Sequence, residues 1–334
     1  MKIIIPMAGR GSRLRPHTLT VPKPLVPIAG KPIVQRLVAD LVENLPEKVD
    51  EIAFVIGDFG AEIENQLIKI ADEQGAKGSI YYQHEPLGPA HAIHCAADSM
   101  DGKCIVAFSD TLFKAQFAFD TEQEGVIWTQ RVADPSAFGV VTVDSDNIIT
   151  GFVEKPSEPI SDLAIVGIYY FKDGNRLKKE LNTLITDNIQ EKGEFQITTV
   201  LERMRSQGVR FAVDQVEEWM DCGNKEAIVA TNKRILDMQP TQDLEDVSAT
   251  IINSTIIPPC HIGNHVTIRN SVIGPFVSIG DHCKLNQTVV KNTVIQTNSE
   301  IQYVVFENSM IGNNAYYKGT PKTVSLGDYS QMSD

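Results

Sequence analysis

The chain has 334 residues, 42% of them apolar and 22% charged, with five cysteines and a formal net charge of −13. That length supports two domains and a substantial core, and the acidic balance argues against nucleic acid or an anionic membrane as partner. No apolar run approaches the roughly 18 residues of a membrane helix, and an odd cysteine count without a CxxC pair favours reduced thiols, so a cytoplasmic protein is expected.

The basic residues are unevenly placed. The first 39 residues hold seven Lys or Arg and no Asp or Glu. Ile3-Ile4-Ile5 reads as a buried first strand. It runs into Ala8-Gly9-Arg10-Gly11-Ser12-Arg13-Leu14-Arg15-Pro16 and then Pro22-Lys23-Pro24-Leu25. A strand leading into a glycine-rich turn crowded with cations suits a polyphosphate: the glycines let backbone N–H groups approach the oxygens, and the cations neutralise them. The turn is not a Rossmann fingerprint, since position 14 is Leu, and not a P-loop, since no Gly-Lys-Ser/Thr follows.

Strands and helices then alternate to residue 110. Apolar positions at 33, 34, 37, 38, 41, 42 and 45 predict a helix from Pro32 to Leu45. Ile52–Ile56 reads as a strand, 61–74 as a helix, Ile80–Gln83 as a strand, Pro89–Ala97 as a helix and Cys104–Phe108 as a strand. This order predicts an α/β domain with a Rossmann-like, mostly parallel mixed sheet, whose ligands bind beyond the carboxyl ends of the strands. The glycine turn, Gln83 and Asp110 all fall there. Closely spaced strands follow at Val126–Val132, Val140–Val143, Ile148–Glu154 and Ala164–Phe171. Helices near 176–190 and 196–207, strand Arg210–Val216 and a helix ending near Asp237 complete the region. The polar, acidic segment after it marks a boundary: a catalytic domain over 1–238, a linker over 239–249 and a second domain over 250–334.

The second domain is a repeat. Asn-Ser/Thr-x-Ile recurs from Asn253, Asn270, Asn292 and Asn308, over a finer period of about six carried by Ile257 (one position off register), Ile262, Ile268, Ile273, Ile279 and Leu285. Three such rungs make a triangular coil of roughly 18 residues. This resembles the left-handed parallel β-helix of hexapeptide-repeat proteins, with three to four coils. Its flat faces and open end imply a homo-oligomer. Cys260-His261 and His282-Cys283 raise the idea of a metal, and His261, His265 and His282 that of acyl transfer; surface turn residues are the simpler reading of all of them.

The string Ala-Gly-x-Gly-Ser-Arg-Leu-x-Pro-x-Thr with Pro-Lys-Pro-Leu downstream resembles the signature of sugar-phosphate nucleotidyltransferases. Six further blocks match in order. Gln83 with Glu85-Pro86-Leu87-Gly88-Pro89-Ala90 resembles the base-reading segment, and Phe108-Ser109-Asp110 the segment with the first metal-binding Asp. Phe138-Gly139-Val140-Val141, Val153-Glu154-Lys155-Pro156 and Val166-Gly167-Ile168-Tyr169 resemble the sugar-binding segments. Trp219-Met220-Asp221-Cys222-Gly223 resembles the segment with the second metal-binding Asp.

The resemblance implies that an oxygen of a hexose 1-phosphate attacks the α-phosphorus of a nucleoside triphosphate and expels pyrophosphate. It implies Arg13, Lys23, Asp110 and Asp221 as catalytic residues, with Mg²⁺ on the two aspartates. Ala8, Gly9, Gly11, Ser12, Arg13, Gln83 and Gly88 would bind the nucleotide. Gly139, Glu154, Lys155, Val166 and Tyr169 would bind the sugar phosphate. Where the family usually shows Gly-Asp-Asn, this chain has Ser109-Asp110-Thr111; Cys222 replaces the usual Thr or Val, and Ile197-Thr198-Thr199 the common Ile-Thr-Asp. None of these departures removes a charged catalytic group.

The tail Val324–Ser330 resembles the end of long-form glucose-1-phosphate thymidylyltransferases, which carry a β-helix without acetyltransferase activity. Glucose 1-phosphate with dTTP or UTP is therefore the favoured pair, and mannose 1-phosphate with GTP the alternative. A non-catalytic nucleotide-sugar-binding subunit is a reading of another class, and a bifunctional enzyme with acyltransferase activity a third.

Overall fold

The computed structural model describes residues 1–9, 11–117, 119–158, 160–240, 242 and 248–332. Arg10 of the glycine turn and most of the expected linker 239–249 lie outside these residues. The chain divides into two compact units, residues 1–26 with 31–227, and residues 27–30 with 228–334.

In the first unit, β1 (Lys2–Pro6), β2 (Glu51–Ile56), β3 (Lys77–Tyr82) and β4 (Cys104–Ala107) lie parallel in the order β3-β2-β1-β4. Their apolar runs are continuous because both faces are covered: Ile3, Ile4 and Ile5 have no exposed surface, and every residue of β2 is buried. The crossovers are α1 (Ile33–Asn44), α2 (Ala61–Glu73) and α3 (Pro89–Cys95), each with its apolar stripe inward.

Past β4 the sheet becomes mixed. The added strands are β5 (Thr111–Lys114), β6 (Gly125–Arg131), β7 (Gly139–Val143), β8 (Ile149–Glu154) and β9 (Leu163–Phe171), then, after helices α4 (Gly174–Thr186) and α5 (Ile197–Ser206), β10 (Phe211–Gln215) and β11 (Glu218–Asp221). Strand β9 runs antiparallel to β4 on one edge and to β6 on the other; β10 lies parallel to β6 and β8 antiparallel to β7. One core joins Ile4, Val55 and Val106 of the parallel strands to Tyr169, Leu181, Leu201 and Phe211. Strands β5 and β11 form a separate antiparallel ribbon that sets Thr111 opposite Asp221. The sequence pattern does not show β5.

The second unit is a left-handed parallel β-helix, joined by most of α6 (Lys225–Met238). Along one face Thr250 pairs with Thr267, Thr267 with Lys284, Lys284 with Glu300 and Glu300 with Tyr316, steps of 17, 17, 16 and 16 residues. Each coil is thus one or two residues shorter than three hexapeptides. The corners explain the irregular asparagine spacing. One corner holds Asn253, Asn270, Gln287 and Tyr303; a second holds Phe276, Asn292 and Asn308; a third holds His265, His282, Asn298 and Asn314. All of them have positive φ. The sequence repeat merged two corners because asparagine tolerates this conformation at each.

Ile262, Ile268, Ile273, Ile279 and Leu285 point inward as expected; Ile257, off register in the repeat, is 41% exposed, and its neighbour Ile256 packs against the core instead. A one-residue offset turns a strand side chain to the other face. By the same alternation the thiols of Cys260 and Cys283 are buried, bonded to the carbonyls of Ile257 and Gln296, while His265 and His282 stack outside, 5.0 Å apart. Cys283 and its neighbour His282 therefore face opposite sides of the coil wall.

Candidate active site

The turn after β1 is held by its own backbone. Gly11 adopts φ 73°, and its carbonyl accepts from Leu14 N at 3.0 Å and Thr18 Oγ1 at 2.8 Å. Leu14, 1% exposed, anchors the turn in the core. A Cβ at Gly11 would stand 2.6 Å from Lys23 Cβ, so glycine is what lets Lys23 lie beneath the turn. Lys23 itself is buried, and its Nζ meets Asp110 Oδ2 at 2.6 Å. Arg13 is exposed on the turn and makes no side-chain hydrogen bond among the described residues.

Asp110 and Asp221, distant in sequence, are brought together by the β5–β11 ribbon. Cys222 N donates to the Asp110 carbonyl at 3.0 Å directly beyond the Thr111–Asp221 pair. Asp221 is exposed by surface area, yet neighbouring protein removes part of its hydration. Burial raises its pKa, and the nearby Asp110 charge raises it further; Lys23, Arg13 and the Gly223 N–H pull against this. Two carboxylates and two cations therefore share one field. Asp221, held above its ordinary ionisation range beside the Asp110 carboxylate, forms with it a hard-oxygen donor pair that a divalent cation would relieve, and Mg²⁺ commonly takes only one or two protein carboxylates with phosphates filling the rest. Among the described residues no group of three or more His, Cys, Asp or Glu converges on one point, so a cation here would depend on substrate oxygens.

Beside this pair lies a cleft of about 440 Å³, lined by Ala8, Gly9, Gly11, Ser12, Arg13, Lys23, Gln83, Gly88, Asp110 and Gly223, with Pro86, Glu194 and others. It sits beyond the ends of β1, β3 and β4. Gly88 has φ 110°, and a Cβ there would stand 2.7 Å from Phe195 N and 2.8 Å from Phe195 O. The segment is stitched across by Phe195 N to the Leu87 carbonyl and Ala90 N to the Phe195 carbonyl, both 2.9 Å. Gln83 Nε2 lies 3.1 Å from the Gly88 carbonyl and 3.0 Å from His91 Nδ1.

The residues expected for the sugar phosphate gather at a second place that does not line this cleft. Gly139 pairs with Glu154 between β7 and β8, and a Cβ on Gly139 would stand 3.1 Å from Glu154 Oε2. Thr198 Oγ1 donates to that same oxygen at 3.1 Å, and Lys155 Nζ lies 3.5 Å from Glu154 Oε1. Val166 contributes its carbonyl, which accepts from Thr111 Oγ1 at 2.9 Å; its side chain is buried. Tyr169, 4% exposed, connects the two places: burial raises its pKa, and the charges of Glu154 and Asp110 both add to the effect.

Sequence reasoning did not assign roles to Thr111, His91, Glu194 or Thr198. Thr111 and Thr198 carry no charge and match no spacing rule. His91 opens a helix in an ordinary way, and Glu194 reaches the cleft only through the 191–194 turn, closed by reciprocal backbone hydrogen bonds. The Phe138 and Trp219 rings, 4.9 Å apart and edge to face, are a further contact that depends on folding.

A family model described as Nucleotidyl transferase matches residues 2–238. Among curated proteins, the low-salt glycan biosynthesis nucleotidyltransferase Agl11 of Haloferax volcanii is 32% identical over 71% of this chain and 66% of its own length, so the chain spans slightly less than two thirds of that relative. A bifunctional protein GlmU from Methanococcus maripaludis is 32% identical over 95% of this chain and 76% of its own. A glucose-1-phosphate thymidylyltransferase of Streptomyces antibioticus is 29% identical over 99% of both chains.

Proposed function

Because the chain belongs to the sugar-phosphate nucleotidyltransferase family, we propose that it transfers a nucleotidyl group from a nucleoside triphosphate to a hexose 1-phosphate, releasing pyrophosphate. The carrying observation is the Lys23–Asp110 pair set beside Asp221 at the edge of a glycine-lined cleft.

The reaction needs no general base. The second ionisation of a phosphate monoester lies near pH 6, so the nucleophilic oxygen is already an anion at neutral pH. What remains is in-line alignment of two polyanions and neutralisation of their charge. Backbone N–H groups of Ala8, Gly9, Gly11 and Ser12 approach the triphosphate, and Arg13 braces the departing pyrophosphate. Lys23 holds phosphate oxygens at the centre, which requires it to exchange its hold on Asp110 for substrate. Lys155 takes the sugar phosphate, and Glu154, oriented by Thr198, accepts from sugar hydroxyls. Asp110 and Asp221 would hold Mg²⁺, which screens phosphate charge when bound.

Glucose 1-phosphate with dTTP or UTP is the favoured pair. The tail resemblance and the full-length match to a thymidylyltransferase support it. Gln83 supports it too, because its amide nitrogen is engaged within the protein and its oxygen is left for the N3–H of a pyrimidine. The N1–H of guanine could meet the same oxygen, so mannose 1-phosphate with GTP stands as the second reading.

The test crosses four nucleoside triphosphates with glucose 1-phosphate and mannose 1-phosphate and measures released pyrophosphate. dTTP or UTP with glucose 1-phosphate is expected to give the highest kcat/KM. GTP preference would move the assignment to the second reading, and a preference for CTP or ATP would sink both. Asp110→Asn and Asp221→Asn should each abolish Mg²⁺-dependent turnover with an unchanged circular dichroism spectrum; full activity in both would refute the metal assignment.

A further inference from the structure

We propose that His91 is a positioning residue for base selection, holding Gln83 so that its amide oxygen faces the nucleotide cleft. The inference rests on the assignment of Gln83 to base recognition. The carbonyl of Gly88 can only accept a hydrogen bond, so the Gln83 atom 3.1 Å from it must be the NH₂ group, whichever way an amide might otherwise turn. The same nitrogen lies 3.0 Å from His91 Nδ1. Both of its hydrogens are thereby used. Nδ1 must then offer a lone pair, which makes His91 a neutral imidazole carrying its hydrogen on Nε2.

The support behind this pair is stiff. His91 lies in the first turn of α3, half-buried, and its neighbour Ala90 is bonded through the backbone to Phe195. Gln83 is also half-buried, and its N–H donates to the Ile56 carbonyl at 2.8 Å. Its side-chain oxygen accepts no hydrogen bond among the described residues, and Gln83 lines the cleft.

The cleft therefore presents a fixed acceptor. Uracil and thymine meet it with N3–H and guanine with N1–H. Cytosine N3 and adenine N1 bring a lone pair to the same point, leaving two acceptors facing each other with water excluded. Without His91 only the Gly88 carbonyl resists rotation of the amide. A rotated amide presents NH₂, which suits cytosine. His91 acts through Gln83 and touches no reacting atom.

The experiment measures kcat/KM for UTP and for CTP with glucose 1-phosphate in the intact enzyme, in His91→Leu, His91→Asn and Gln83→Leu. The ratio within one variant does not depend on how much of it is folded. His91→Leu should lower the UTP-to-CTP ratio by about tenfold, with the change carried by KM for UTP rather than by kcat. His91→Asn, whose Oδ1 can accept from the same N–H, should restore most of the ratio. Gln83→Leu should collapse it.

If Gln83→Leu collapses the ratio and His91→Leu leaves it intact, the role of His91 is refuted while base reading by Gln83 stands. Equal losses in His91→Leu and His91→Asn would mean a packing role and also refute it. An unchanged ratio in Gln83→Leu would refute the underlying assignment itself. Where the substrate panel favours GTP, GTP and ATP replace UTP and CTP in the same comparison.

Discussion

At some ionisable residues burial outweighs the attraction of a neighbouring charge. Asp40 illustrates this outside the candidate site. Its pKa stands at about 6, raised chiefly by burial; Arg36, one turn earlier on α1, and Lys31 pull against this, and Glu43 adds to it. Arg36 is itself lowered to about 10 by burial. Both charges therefore lose more hydration than their mutual attraction returns. The folded pKa of Asp40 lies above its ordinary value of 3.8. The proton it binds thus favours the folded state below about pH 4, and that contribution is lost as pH rises through 6. Asp40→Asn, which keeps the shape and removes the charge, should melt higher than the native chain at pH 7.5, and the gap should close as pH falls to 4.5. Melting curves across that range check it. A variant less stable at pH 7.5 would mean that attraction to Arg36 outweighs desolvation.

At the scale of elements, the glycines that border the cleft divide into two kinds. A Cβ at Gly9 would meet nothing within 4 Å, whereas one at Gly88 would strike the backbone of Phe195 and would also force φ 110° on an L-residue. Gly9→Ala should leave the melting temperature unchanged and raise KM for the triphosphate by about tenfold, because the methyl stands where the ligand approaches. Gly88→Ala should raise KM as well, and should cost about 1–3 kcal/mol of stability from backbone strain alone. Parallel melts and kinetics separate the two, and a Gly9→Ala variant that bound normally would show that the turn does not touch phosphate.

The same contrast marks what the sequence could reveal. The glycine turn, with Arg13 and Lys23, was legible because composition and charge are local properties. The alternating strands and helices to residue 110 were legible through periodicity. Strand β5 was not: its four residues follow a turn at once, and only pairing with Glu218–Asp221 makes them a strand. That long-range pairing is what unites Asp110 with Asp221, so the resemblance of motifs could name both residues but not bring them together. The β-helix corners were misread for a related reason. They select a backbone conformation that Asn, His, Gln, Tyr and Phe all supply here, and counting one residue type merges positions that are distinct in space. The role inferred for His91 depends on which ring nitrogen carries the hydrogen, which no spacing rule encodes.

For the molecule as a whole, the open matter is where the catalytic part ends. The linker expected after residue 238 would leave all of α6 with the first domain, and that boundary is a proposal. Most of α6 belongs with the second unit. Asn232 has no exposed surface, and its Oδ1 accepts from Ala29 N at 2.9 Å and from Ser278 Oγ at 2.7 Å. Lys233 lies over the Phe276 ring at 4.9 Å. Ile228, Val229, Ile235 and Leu236 are buried along the same helix. A fragment of residues 1–238 loses Ser278 and Phe276 and leaves Asn232 short of a partner. Each aliphatic side chain that becomes fully uncovered costs roughly 1.5–3 kcal/mol. We therefore expect the fragment to melt several degrees below the native chain and to self-associate without defined stoichiometry. The intact chain should behave as a homo-oligomer; Val272, Val289 and Val305, in register and exposed on one face of the β-helix, supply an apolar stripe for it. Light scattering of both proteins at micromolar concentration, with melting curves beside it, tests the two expectations together. A native-like, monomeric 1–238 fragment would place the boundary at 238 and show that α6 needs no support from the coils, and a monomeric intact chain would leave the valine stripe without a partner of its own kind.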